Sequence, residues 1–118
     1  MGPSVLIVDD HSGFRASARL LLEAEGFTVL GEATDGTSAL EAARELRPEL
    51  VLLDIELPDM DGFEVTRCLA DESNRAAVIL ISSRDSSDYR TRLSKSKALG
   101  FIPKVDLSGT AIGALMAK

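Results

Sequence analysis

The amino-acid sequence predicts an α/β fold, a doubly wound parallel sheet of five strands with helices on both faces. Three observations predict it. Five short apolar runs lie along the chain, at residues 5–8, 28–31, 50–53, 78–81 and 101–102. These runs are continuous rather than alternating, as expected of strands covered on both faces. Segments with helical apolar spacing separate them, and strand–helix alternation repeated along a chain is the pattern of a parallel sheet with right-handed crossovers.

The first helix carries Phe14, Ala18, Leu21 and Leu22, with Ser12 as its expected N-cap and Gly26 as its stop. A second carries Leu40, Ala43 and Leu46, with Pro48 just beyond its end. The third is expected over residues 63–69, the fourth over 87–99 and the fifth from Ser108 onward. Pro58 and the adjoining Asp59-Met60-Asp61-Gly62 predict a turn after the third strand, its acids serving the next helix N-terminus.

The 118 residues suit one domain over 1–118, with a composition of 45% hydrophobic and 27% charged residues. A net charge of −6 argues against direct nucleic-acid binding, which needs a basic face. Cys68 is the sole cysteine, so no intrachain disulfide can form and a reducing cytoplasm is expected. No apolar run approaches membrane-span length, and the short run near the N-terminus has no basic residues before it.

The polar residues at the end of each run carry the chemistry. Asp9, Asp10 and His11 come after the first, Asp54 after the third, Ser82 and Ser83 after the fourth, and Pro103 and Lys104 after the fifth. Ligands of open parallel sheets bind beyond the carboxyl ends of the strands, so four runs deliver polar groups to one rim. Three clustered carboxylates repel one another, and a hard divalent cation such as Mg²⁺ is the natural compensation. Lys104 adds a positive charge and Ser82 a hydroxyl donor. A carboxylate nucleophile, a metal and an ammonium make a site for phosphoryl transfer, which places Asp54 as the nucleophile.

Taken together, VLIVDDH, VLLDIELPDMDGFEV, VILISS and GFIPK resemble the receiver domain of bacterial two-component response regulators. The VDDH start and GFIPK end are similar to receivers attached to helix-turn-helix DNA-binding domains. The resemblance covers essentially the whole chain. It implies a flavodoxin-like sheet of order 2-1-3-4-5 and phosphate transfer from the phosphohistidine of a sensor histidine kinase. It implies Asp54 as phosphoacceptor and Asp10 and Asp54 as direct Mg²⁺ ligands. The backbone carbonyl of Glu56 would be a third ligand, with Asp9 acting mainly through water. Ser82 and Lys104 would sense the phosphoryl group, and Phe101 would be the switch aromatic coupled to them. Such a domain is a signalling module rather than an enzyme on external substrates. Its output, transcription through an effector domain, would be controlled by the face of the fourth helix, fifth strand and fifth helix, which is also a candidate homodimer surface.

Two departures stand out. The fourth helical segment is unusually basic, and Lys97 stands where a helix-ending glycine is common in the family. Among competing readings, a dehalogenase-type Mg²⁺ hydrolase would carry its nucleophile after the first strand, and a phosphate-blind binding module would have lost a rim residue. Cys68 reads as a small core filler, and His11 as a first-turn loop residue rather than a metal ligand. Glu56 and Arg84, each two residues past a key position, have opposite charges. Pairing across the opening would obstruct water attacking a phosphorylated Asp54.

Overall fold

The computed structural model describes residues 2–117. Strands β1 (Ser4–Val8), β2 (Thr28–Ala33), β3 (Leu50–Asp54), β4 (Ala77–Ser82) and β5 (Gly100–Pro103) alternate with helices α1 (Ser12–Ala24), α2 (Gly36–Leu46), α3 (Gly62–Asp71), α4 (Arg90–Lys95) and α5 (Gly109–Met116). Short 3₁₀ turns span Ser86–Tyr89 and Lys104–Asp106. The sheet is wholly parallel, in the order β2-β1-β3-β4-β5.

Strand side chains point alternately to the two faces, so each central strand feeds two cores. Leu6, Val8, Val51, Leu53 and Leu80 meet Ala39, Leu40 and Ala43 of α2 and Val65 and Leu69 of α3. Val5, Ile7, Leu50, Leu52, Ile79 and Ile81 meet Ala18 and Leu22 of α1 and Ile112 of α5. Each fully buried Leu or Ile contributes about 1.5–3 kcal/mol relative to exposure. The continuous apolar runs in β1, β3 and β4 are thus explained by burial on both sides.

Several elements depart from the sequence expectation. β2 runs on to Ala33, and its exposure alternates instead of staying buried, because it is an edge strand. The N-cap of α1 is His11 rather than Ser12, and it makes no side-chain cap. The expected helix over 87–99 is broken in two. Asp85 accepts from the Ser87 N–H to start the 3₁₀ turn, and the chain leaves α4 at Ser96 in an extended conformation. Only six residues stay α-helical, so Lys97 lies past the helix end. Gly26 does stop α1, and its φ of +94° is one that residues with a Cβ rarely adopt.

The acids of the turn after β3 divide their work. Asp61 caps α3, accepting from the Glu64 N–H at 2.9 Å. Asp59 reaches instead to α2, where it accepts from the Gly36 and Thr37 N–H groups (2.7 and 3.0 Å) and the Thr37 hydroxyl (2.9 Å). Those donors hold its carboxyl down to about 2. Among the described residues, no helix is long and apolar enough to cross a membrane.

Candidate functional site

The C-terminal ends of β1, β3, β4 and β5 meet at one rim. Register explains why. Asp54 pairs beside Ile81 of β4, and Ser82 pairs beside Pro103 of β5, so Ser82 and Lys104 lie one step further out on adjacent strands. Ligand atoms of Asp9, Asp10, His11 and Asp54 all lie within 4.8 Å of one another. The acids come from β1 and β3, the central strands.

Asp9 is fully buried. Its Oδ1 accepts from the His11 N–H at 2.8 Å, and Lys104 Nζ stands 2.6 Å from Oδ2. That ion pair is what Oδ2 has: it accepts no other bond among the described residues. Asp54 is 2% exposed; its Oδ1 accepts from the Glu56 N–H at 3.0 Å and its Oδ2 from Lys104 Nζ at 3.3 Å. Lys104 also lies over the Phe14 ring, 4.5 Å from its centroid. Asp10 is more open and contacts His11 Nδ1 at 3.0 Å.

Burial divides the two inner acids. It pushes Asp54 up to about 6, a rise that the Glu56 N–H and Lys104 only partly offset and the Asp9 charge reinforces. Burial also opposes ionisation of Asp9, but Lys104 and the His11 N–H outweigh it and hold that carboxyl below its ordinary value. Burial likewise disfavours the Lys104 cation, and the two carboxylates reverse this and raise it. One ammonium against three acids leaves negative charge uncompensated, and the donors are hard oxygens. The cluster therefore fits a hard divalent cation.

Glu56 sits apart from that cluster. Its carboxylate turns to Arg84 Nε at 2.7 Å and to the Tyr89 hydroxyl at 3.1 Å. The expected Glu56–Arg84 pair is therefore present. Ser82 is fully buried; its Oγ accepts from the Arg84 N–H at 3.0 Å and lies 3.5 Å from the Tyr89 hydroxyl. Phe101 is half-buried, its ring 6.3 Å from that of Tyr89. Cys68 packs half-buried against the core, as a small filler would.

Tyr89 is the site residue that the sequence pattern did not reveal. It stands between Ser82 and Phe101, and its ring also meets Phe63 at 6.0 Å. Its signal was faint: the sole tyrosine of the chain, just after the polar stretch Asp85-Ser86-Ser87-Asp88. Arg92 was missed as well; its guanidinium pairs with Asp61 and lies 4.3 Å over Phe63, fastening α4 to the start of α3.

Known proteins resemble this chain in sequence and in fold. The chain is 41% identical over 100 residues to BvgA of Bordetella pertussis, named for transcription regulation of virulence factors; the match covers 85% of this chain and 48% of that protein. It is 37% identical over 101 residues to the response regulator GacA of Pseudomonas aeruginosa, covering 85% and 47%. The chain thus spans about half the length of these curated relatives. The signal receiver domain of NarL from Mycobacterium tuberculosis superposes with a TM-score of 0.88 at 29% identity, covering 98% of both chains. The response regulator receiver domain model matches residues 5–108, from β1 to the start of α5. On that match and this rim, the chain belongs to the receiver domain family of two-component response regulators.

Proposed function

We propose that this receiver domain takes a phosphoryl group onto Asp54 from the phosphohistidine of a sensor histidine kinase. The observation that carries the reading is the buried Asp54 carboxylate, flanked by Asp9 and Asp10 and contacted by Lys104 at the sheet's C-terminal rim. An Asp54 oxygen attacks phosphorus, the P–N bond breaks, and the kinase imidazole leaves with the bond electrons. Asp10, Asp54 and the Glu56 carbonyl would hold Mg²⁺, with Asp9 acting mainly through water. The bound ion would neutralise charge on the transferring phosphoryl group.

The chain's own groups do the positioning. Lys104 is held at the rim by Asp9 and Phe14, where its ammonium can pair with a phosphoryl oxygen. The Glu56 N–H fixes the Asp54 rotamer through Oδ1. Ser82 supplies a hydroxyl donor to the product, and Phe101 responds by repacking. The module catalyses only its own phosphorylation and dephosphorylation. Its readout is the face of α4, β5 and α5, which would support a homodimer or an effector domain controlling transcription, with no nucleic-acid contact by this domain.

The test is intact mass after acetyl phosphate and Mg²⁺ treatment. One phosphate adduct is expected, removed by EDTA pretreatment and by Asp54→Asn. An adduct that persists in Asp54→Asn defeats the assignment.

A further inference from the structure

Four residues beside the acidic cluster close a ring of polar contacts. The Arg84 backbone N–H donates to Ser82 Oγ at 3.0 Å. Ser82 Oγ lies 3.5 Å from the Tyr89 hydroxyl, which donates to Glu56 Oε2 at 3.1 Å. That same oxygen is 2.7 Å from Arg84 Nε, which brings the ring back to Arg84. Counting protons gives the ring a direction. A tyrosine hydroxyl has one proton, and here it goes to the carboxylate. The Ser82–Tyr89 contact must then use the serine proton, with the tyrosine oxygen accepting. Serine also has only one.

We propose that Tyr89 is the positioning residue that holds the Ser82 hydroxyl proton in the unphosphorylated protein, and that a phosphoryl group on Asp54 competes for this proton and releases the tyrosine ring. The inference rests on Asp54 being the phosphoacceptor. A phosphoryl oxygen is an ionised acceptor, and charge-assisted hydrogen bonds are roughly twice as strong as neutral ones. The contact it displaces is at the long limit of hydrogen-bond range. Once Ser82 turns, the Tyr89 oxygen of a residue only 8% exposed has lost its donor. Its bond to Glu56 remains, but one of the two hydroxyl contacts that hold the ring in place is gone.

The ring is packed against Phe63 on one side and Phe101 on the other, so it cannot shift without either aromatic feeling it. Phe101 has no hydroxyl and cannot bond Ser82 itself. Tyr89, in contact with both, therefore gives Ser82 a hydrogen-bonded link toward Phe101, and α4 starts at the very next residue.

The chain has one tyrosine and no tryptophan, so tyrosine emission reports on Tyr89 alone. Acrylamide quenching of that emission is measured with and without acetyl phosphate and Mg²⁺, with intact mass giving the phosphorylated fraction of each sample. In the parent, quenching rises in step with that fraction. In Ser82→Ala it is already raised before phosphodonor is added and does not change as the adduct forms. Tyr89→Phe keeps the ring packing but frees Ser82, so its Phe101 amide shift moves, without phosphate, toward the phosphorylated parent's position. A parent that is stoichiometrically phosphorylated with unchanged quenching overturns the inference. So does a Tyr89→Phe variant whose Phe101 shift stays put, the result expected of a purely packing residue. A parent that takes no phosphate at all overturns the phosphoacceptor reading itself.

Discussion

Lys104→Met removes the ammonium while keeping most of the apolar stem. Asp9 is fully buried, and Lys104 is the cation against its Oδ2, with Asp54 sharing the same ammonium. Breaking a buried pair by removing one partner costs about 3–5 kcal/mol. The Lys104 side chain retains 15% exposure, and a stranded carboxylate can take up a proton, so the low end applies. A loss of about 3 kcal/mol is expected for metal-free protein at pH 7. The unfolding entropy of a chain this size is about 250 cal/mol/K, so the melting temperature should fall by about 12 °C. Because the penalty is unpaired negative charge, Mg²⁺ should restore a large part of it through linkage. The assay is urea and thermal unfolding of parent and variant in EDTA and in saturating Mg²⁺. A metal-free loss below about 1 kcal/mol, or equal losses with and without Mg²⁺, would refute the electrostatic argument.

Two further outcomes are expected. The Glu56–Arg84 pair is exposed, so Glu56→Ala and Arg84→Ala should each cost less than about 1 kcal/mol of stability. Each should nonetheless speed dephosphorylation, by up to about tenfold, the equivalent of about 1.4 kcal/mol of barrier. The double variant should be no faster than the worse single one, and independent effects on the measured decay would exclude a shared obstruction to water. Asp59→Ala removes the side-chain acceptor at the start of α2 and should cost about 1 kcal/mol at pH 7. Asp59 titrates at about 2 in the fold, below its unfolded value of 3.8, so its contribution is present above pH 3.8 and fades as pH falls toward 2. Parent and Asp59→Ala denaturation curves should therefore converge in that window; a gap that stays constant from pH 7 to pH 2 contradicts the capping role.

The buried centre of this fold was legible because burial on both faces leaves an unbroken apolar run in β1, β3 and β4. The rim residues were legible for the same reason, since Asp9, Asp54 and Ser82 are polar groups where a buried strand has no packing need for one. Edges and caps were harder. β2 is half exposed, so the Glu32 and Ala33 of its far end did not extend its apolar run. Asp59 acts on α2 across 22 residues of sequence, which no local pattern encodes. The break before α4 came from Asp85 capping a separate turn, and Tyr89 lay hidden because its partners Glu56 and Ser82 sit on other elements.

The weak anchoring of α4 has a mechanical consequence. This helix buries no residue of its own, while β1, β3 and β4 are sealed between two cores. Under the proposed switch the domain would divide into a stator and a moving part. The stator would keep its two cores when the site changes state. The moving part hangs on a few detachable fastenings: the tyrosine oxygen, the Arg92 clasp on Asp61 and Phe63, and Leu93 against the core. Each is worth a kilocalorie or so, well within what one new ionic hydrogen bond can supply. On the proposed reading, a single group arriving at Asp54 would reset the surface without loosening the sheet that holds it.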